Sequence, residues 1–232
     1  MDTARLAAVH PVVDDLRRIF AERLEAVVVY GRRPIGPVPT LALVQSLAME
    51  DLNTCAERAA GWRRGGAAVP LLLTRAEFAR ALDAFPLEYG EIIDHHQLLH
   101  GHDPFQDLAI RHEDLRRACE VQVKSHLLHL REDYIESGAK LHDVGDIVRE
   151  SAAGFVMLLR QLARLDRASV DSEAEIARYA ETRLRLDPRL VGDLITVADG
   201  TSFAPVDAMK LFPPYLEAMN RLADFVDQWR FV

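Results

Sequence analysis

The two halves of the chain space their apolar residues differently, and this contrast constrains the fold more than any other feature. In the first half, short β-branched or aliphatic runs over 26–31 and 40–44 stop at glycine or polar residues, which is typical of buried strands. After Pro104 the apolar residues recur every three or four positions, which is typical of amphipathic helices. The sequence therefore predicts an α+β protein in which the strands and the long helices occupy separate parts of the chain.

The first half predicts helices and strands in alternation. The predicted elements are a helix over 6–24, strands over 26–31 and 40–44, a helix from Asn53 or Thr54 to Trp62, a strand over 69–73, a helix over 74–82, and strands or a hairpin over 85–94 and 97–101. A proline-rich loop follows Gly31, because proline fixes φ and removes a hydrogen-bond donor. Thr74 and Glu77 fit a capping box, which marks a helix start.

The second half predicts four or five amphipathic helices joined by short connections, the pattern of an up-and-down bundle. The predicted helices run over 115–134 and 141–162, from Asp171 or Ser172, over 190–198, and from Pro213 and Pro214, since proline suits a first helical turn. We place the boundary so that residues 1–108 form an α/β domain and residues 109–232 form the helical bundle.

Composition excludes several classes of function. The formal net charge of −8 disfavours general binding to nucleic acid, although four adjacent arginine pairs leave room for a local anion site. The two cysteines form no C-x-x-C pair, so we expect neither a disulfide framework nor a thiolate zinc site. No apolar run approaches the ~18 residues of a membrane span, and the first residues lack a signal-peptide core. We therefore expect a cytoplasmic protein with no membrane contact.

Four segments of the first half together resemble a known family. They are the strand and turn over 27–31 and the stretches over 69–74, 85–89 and 99–105. Followed by the helical half, this layout resembles bacterial proteins of the nucleotidyltransferase fold with a C-terminal helical bundle of the substrate-binding or HEPN-like type. The resemblance implies a nucleotidyltransferase-like mixed sheet with helices over 1–108 and a helical bundle over 109–232.

The chain departs from that family at the residues that bind metal. Active members carry Gly-Ser after the first strand, Asp-x-Asp on the second and a further carboxylate on a later strand, because two Mg²⁺ ions need hard oxygen ligands. Here Arg32 follows Gly31, and no acid occurs between Tyr30 and Met49. Glu88 is the only stand-in for the third carboxylate. We therefore expect no magnesium site, no cofactor and no ordinary nucleotidyl transfer, with a divergent active nucleotidyltransferase as a distant alternative.

Two functions remain open. Gly31, Arg32 and Arg33 lie where the family places its phosphate-binding turn, and guanidinium groups bind phosphate without a metal. With Glu88 they are the candidate residues for a nucleotide or another anion, against the alternative of an exposed polar loop. The second function is an interaction module, in which the bundle docks on a protein partner or on a second copy and binds no ligand.

Two groups of histidines are candidate metal sites. The alternative is that they are ordinary surface or partly buried histidines. His95, His96, His100 and His102 cluster before the bundle, but a strand and turn there would separate His96 from His100. His126 and His129 lie three apart on the first bundle helix. Only Arg5 and His10 fit the Arg-x4–6-His motif of HEPN ribonucleases, and they lie outside the bundle, so we expect no ribonuclease activity.

Overall fold

The computed structural model describes residues 3–31, 36–168, 170, 172–200 and 205–229. The chain divides into two compact units, Met1–Arg111 and His112–Val232, and each unit is described by itself below. The first unit contains the sheet, and the described part of the second contains only helices and their connections. The division lies three residues beyond the boundary expected from the sequence.

The first unit is built on one four-stranded sheet. Its elements are α1 (Thr3–Phe20), a 3₁₀ turn (Ala21–Arg23), β1 (Leu24–Tyr30), β2 (Thr40–Val44), α2 (Met49–Arg64), β3 (Leu71–Thr74), α3 (Arg75–Arg80), α4 (Pro86–Asp94) and β4 (His96–Gly101). The strand order is β3-β2-β1-β4. β1 pairs antiparallel with both β2 and β4, whereas β2 pairs parallel with β3. The sheet is therefore mixed, which confirms the predicted α+β class.

Apolar clusters cover both faces of the sheet. On one face, residues of β1 and β2 pack with α1 and α2 around Leu16 and Trp62. On the other face, the alternate residues of the same strands pack against Phe78 of α3 and Tyr89 of α4. Because successive side chains of a strand point to opposite faces, two buried faces require apolar residues at every position. This is why β1 and β2 were recognisable as continuous apolar runs.

Two predictions in the first unit are wrong. Residues 85–94 contain helix α4 and not a strand, because Pro86 occupies the first helical position, where its fixed φ is already helical, and Tyr89 and Ile92 point inward three residues apart. Helix α2 begins at Met49 and not at Asn53 or Thr54. The Asp51 carboxylate accepts from the Ala48 amide at 3.0 Å, which satisfies the helix start from within its first turn.

The second unit is a bundle of long helices. Its elements are α5 (His112–Glu136), α6 (Leu141–Leu165), α7 (Glu173–Leu184), α8 (Pro188–Ala198) and α9 (Pro205–Gln228). α5, α6 and α9 pack against one another, and α8 packs on α6. Ser172 caps α7 by accepting from the Glu175 amide, as its position predicted. No helix in the described ranges is long and apolar enough to cross a membrane.

The last helix begins eight residues earlier than predicted. Pro213 and Pro214 lie inside α9 and do not open it. Two interior prolines remove two intrahelical hydrogen bonds, so the turns before them need support from packing. Leu211 and Phe212 supply it, since both are buried and the Phe212 ring stacks on Tyr134 with 4.6 Å between centroids.

Candidate functional site

The turn after β1 lies at the end of the sheet where β2 and β4 begin. Gly31 has a φ of 83°, a conformation that favours glycine. Its amide donates to the His95 carbonyl at 3.0 Å. From α1, the Arg5 guanidinium donates to the carbonyls of Tyr30 and Gly31 at 3.3 and 3.2 Å. Protein groups therefore hold the backbone at Tyr30 and Gly31, and the Gly31 amide is already bonded to a carbonyl.

The other three candidate residues are Arg32, Arg33 and Glu88, and the structure does not show them in contact with Gly31. Arg32 and Arg33 lie outside the described residues. Glu88 lies in the first turn of α4 with its side chain exposed, beside the buried Tyr89, and not on a strand as its proposed role required. Gly31 is thus the one member of the predicted set whose contacts at this end of the sheet are described.

The second strand offers no ligand for a cation. All five residues of β2 are buried. Thr40, Ala42 and Val44 alternate toward the cluster on α1 and α2, and Leu41 and Leu43 toward the cluster on α3 and α4. Two carboxylates spaced i, i+2 on this strand would be needed to reach one metal pair. The strand has none, and both of its faces are closed by apolar side chains.

The nearest acids along the chain belong to the opposite end of the sheet. Asp51 accepts two hydrogen bonds from the Arg23 guanidinium at 2.7 and 2.8 Å. These bonds and the Ala48 amide lower the pKa of Asp51 to about 2. Arg23 precedes β1 whereas Gly31 follows it, and a seven-residue strand spans roughly 20 Å. Asp51 is therefore an ionised structural partner of Arg23, remote from the Gly31 turn.

Two acids lie beside the histidines that follow α4. Asp103 lies 3.4 Å from His96 and also accepts from the Phe105 amide at 3.0 Å. Glu91 lies 4.0 Å from His95. Within the described ranges, one trio of histidine and acidic side chains has its ligand atoms within 4.8 Å of one another, and it lies in the second unit. No three described acids converge on the Gly31 turn.

The histidines of β4 do not form a metal pair. A β-bulge interrupts the pairing of β4 with β1, so His96 and His100 contact opposite faces of the sheet. The His96 ring meets Phe105 edge-on and its Nδ1 lies 2.9 Å from the Ile93 carbonyl. His100 Nδ1 accepts from Arg17 of α1 at 3.1 Å. The predicted strand is present, but a regular strand would place residues four apart on the same face, so the bulge is what puts these two histidines on opposite faces.

A second feature is an acidic groove on the bundle. It has a volume of about 580 Å³ and is lined by residues of α5, of α6 and of the turn between them. Its five carboxylates are Asp133, Glu136, Asp143, Asp146 and Glu150. His142, Asp143 and Asp146 form the trio noted above, but His142 is 80% exposed and Asp146 also pairs with Arg149.

Each histidine of the predicted pair on α5 has a polar side chain of the protein beside one ring nitrogen. His126 Nε2 lies 2.6 Å from the hydroxyl of the buried Tyr215, and burial lowers the pKa of His126. Gly154 of α6 lets the ring approach, since a Cβ there would lie 3.0 Å from it. His129 Nδ1 lies 3.4 Å from the Ser125 hydroxyl. The His126 side chain is therefore part of the packing between α5, α6 and α9, whereas His129 is exposed and contacts a residue of its own helix.

Comparison with known proteins rests on structure alone. No protein-family model and no curated protein sequence matches the chain. Among solved structures, the chain is similar to spectinomycin adenyltransferase AAD(9) from Enterococcus faecialis, determined with ATP and spectinomycin. The TM-score is 0.59, the identity is 11%, and the match covers 93% of this chain and 98% of that one. At this identity the similarity shows the fold, which is nucleotidyltransferase-like, as the sequence predicted.

Two features of these sites were not predicted from the sequence. In the sequence, Arg5 fits only the ribonuclease motif, and the residues around it do not indicate a contact with the end of β1. The groove did leave a signal, because its acids recur three or four apart on both sides of the turn over 137–140. That spacing places each set on one helix face.

Proposed function

We propose that this chain is a nucleotidyltransferase-like protein that no longer transfers nucleotides by a two-metal mechanism and that binds a nucleotide or another anion at the Gly31 turn. One observation carries the first part: β2 has no carboxylate and is buried on both faces. Two divalent cations would then lack the oxygen ligands that clamp a triphosphate.

The binding part rests on positive charge at this end of the sheet. Arg5 holds its guanidinium against the end of β1, and Arg32 and Arg33 follow Gly31 directly in the sequence. Because the Gly31 amide is bonded to His95, we assign the anion to guanidinium side chains and not to the backbone of the turn.

Calorimetry with ATP, with and without Mg²⁺, tests this assignment. We expect binding that Mg²⁺ does not strengthen, and a loss of ~10-fold or more in affinity when Arg32 and Arg33 are both replaced by alanine. The matched control replaces Arg63 and Arg64, an adjacent exposed pair at the end of α2, and should leave affinity unchanged. No detectable binding at millimolar ATP would remove the anion site.

Catalysis is tested separately. ATP and spectinomycin, the two molecules held by the similar structure, serve as a probe pair with Mg²⁺, and released pyrophosphate is measured. We expect none above the rate without protein. Release that disappears in Glu88→Gln, Glu50→Gln or Asp51→Asn would show that a divergent enzyme uses acids outside β2.

An interaction module is the second candidate, and a specific observation favours it. Three large apolar side chains on α5 are exposed although the opposite side of that helix is buried in the bundle. Such a surface is typical of a contact with another protein. The cytoplasmic location and the absence of general nucleic-acid binding stay predictions.

A further inference from the structure

Helix α4 and the residue before it carry aromatic rings that form a stack. The Tyr89 ring lies nearly parallel to the Phe78 ring of α3, with 4.5 Å between centroids and 6° between planes. The Phe85 ring packs on Tyr89 with 5.7 Å between centroids and 34° between planes. Phe78 and Tyr89 are buried, whereas Phe85 is 51% exposed. The stack therefore starts in the core of the first unit and ends at an exposed ring.

Two links connect the exposed ring with the turn after β1. Tyr30, which precedes Gly31, packs against the apolar cluster that contains Tyr89. Burial raises the pKa of Tyr30, and the nearby Tyr89 hydroxyl raises it further. At the other end of α4, the His95 carbonyl accepts from the Gly31 amide at 3.0 Å. α4 has nine residues, so about 14 Å separates Phe85 from this end of the helix.

The separation between the ring and the turn indicates the class of ligand. A single phosphate or another small anion is too short to contact both. An extended nucleoside triphosphate is long enough, because its base, ribose and three phosphates follow one another. Its base also suits the ring, since exposed aromatic side chains of proteins bind bases by stacking on their faces.

A carboxylate lies close to the exposed ring. Glu88 is in the first turn of α4, three residues after Phe85, and its side chain is exposed. Burial raises the pKa of Tyr89, and the charge of Glu88 raises it further, so the carboxylate lies near the stack. An ionised carboxylate only accepts hydrogen bonds. It therefore favours a base that presents an amino group over a base that presents a carbonyl oxygen at the same position.

We propose that the Phe85 ring stacks on the base of a nucleoside triphosphate whose phosphates reach the arginines after Gly31, and that Glu88 accepts from an amino group of that base. The inference rests on the anion site of the proposed function. It adds the class of ligand, which is a nucleotide with an amino-bearing base and not a bare phosphate.

Calorimetry without Mg²⁺ tests the stack by comparing ATP with tripolyphosphate, which has three linked phosphates and neither base nor ribose. Phe85→Ala should weaken ATP binding roughly 5- to 100-fold, the range expected for one base stacked on an aromatic ring, and should leave tripolyphosphate binding unchanged. Phe85→Trp should retain the affinity for ATP. Leu52→Ala truncates an exposed apolar residue of α2 and is the matched control, which should bind both ligands as wild type does.

A pair of pyrimidine nucleotides tests the carboxylate. CTP and UTP differ in the base, where cytosine carries an amino group and uracil a carbonyl oxygen. CTP should bind roughly 5-fold more tightly than UTP or better. Glu88→Gln should reduce this difference, because an amide both donates and accepts. The thermal stability of each variant is measured alongside.

The outcomes separate this inference from the proposed anion site. ATP binding that falls in Phe85→Ala while tripolyphosphate binding does not supports the stack. If Phe85→Ala binds both ligands as wild type does, the anion site stands and the stack is overturned. If Phe85→Ala weakens both ligands equally, Phe85 supports the fold of the site and the stack is again overturned. If neither ligand binds the wild-type chain, the anion site fails and the stack fails with it. Equal affinities of the wild-type chain for CTP and UTP overturn the role of Glu88.

Discussion

Replacing Ala42 with aspartate tests whether β2 is closed to cations. Ala42 is fully buried and lies in the apolar cluster with Val27 and Val29. A carboxylate there would be surrounded by aliphatic groups. An unpaired buried charge costs about 3–5 kcal/mol, a large share of the 5–15 kcal/mol that stabilises a typical domain. We expect the first unit of Ala42→Asp to unfold at a clearly lower urea concentration than the wild-type unit at neutral pH.

The penalty should depend on pH. Burial raises the pKa of an aspartate above its unfolded value near 4, so folding then requires a proton at neutral pH. The penalty is smallest below the unfolded pKa and grows by about 1.4 kcal/mol per pH unit until the folded pKa is reached. Ala42→Asn is the matched control, because it adds a polar group of the same size with no charge. Its cost should not change with pH.

Urea unfolding followed by tryptophan fluorescence measures these differences. The chain has two tryptophans, Trp62 in the first unit and Trp229 in the second, and a Trp229→Phe background leaves Trp62 as the reporter. The reasoning is refuted if Ala42→Asp and Ala42→Asn have the same urea midpoint at pH 7. It is equally refuted if millimolar Mg²⁺ restores the stability of the aspartate variant, since a cation would then reach β2.

Two further predictions concern backbone and charge in the same unit. Urea unfolding should show that Gly101→Ala costs about 3 kcal/mol or more and Gly31→Ala about 1–2 kcal/mol. Both glycines have a φ near 80°, but a Cβ at Gly101 would lie 1.9 Å from the Glu25 carbonyl oxygen, whereas a Cβ at Gly31 would only touch Pro39 at 4.0 Å. Equal costs would contradict the clash. Asp51→Asn should cost about 1–2 kcal/mol at pH 7, a discounted figure because the Arg23 side chain is 37% exposed. The pKa of Asp51 is depressed to about 2, so the wild-type advantage is complete above pH 4 and lost as the pH falls toward 2. An advantage that persists at pH 2 would show that charge is not its source.

The sequence predicted the fold where burial leaves a pattern. The central strands are covered on both faces, so each appears as an unbroken apolar run, and the bundle helices show regular stripes. Residues 85–94 were mistaken for strands because α4 is short and its inward residues are interrupted by Gly90. The start of α9 was misplaced because packing of Phe212 supports a helix through two prolines, and local sequence does not report that packing.

The candidate site was harder to predict because it depends on which ends of the strands meet. The loss of acids on β2 was visible directly in the sequence. The position of Asp51 was not, since only the antiparallel pairing of β1 and β2 places it beside Arg23, at the far end from Gly31. Likewise, the β-bulge that separates His96 from His100 has no sequence signal of its own, because it arises from the register of β4 on β1.

The contacts of Gly31 separate two reasons for the presence of a glycine in the turn after β1. In a phosphate-binding turn the glycine lets the backbone approach the ligand and offers its amide. Here the amide is donated to His95 and Arg5 bonds the carbonyl, so the backbone needs glycine for its positive φ whether or not a ligand is present. Retention of this glycine is therefore not an indication of phosphate binding. An anion at this end of the sheet must depend on arginine side chains, and so the double substitution of Arg32 and Arg33 is the decisive test.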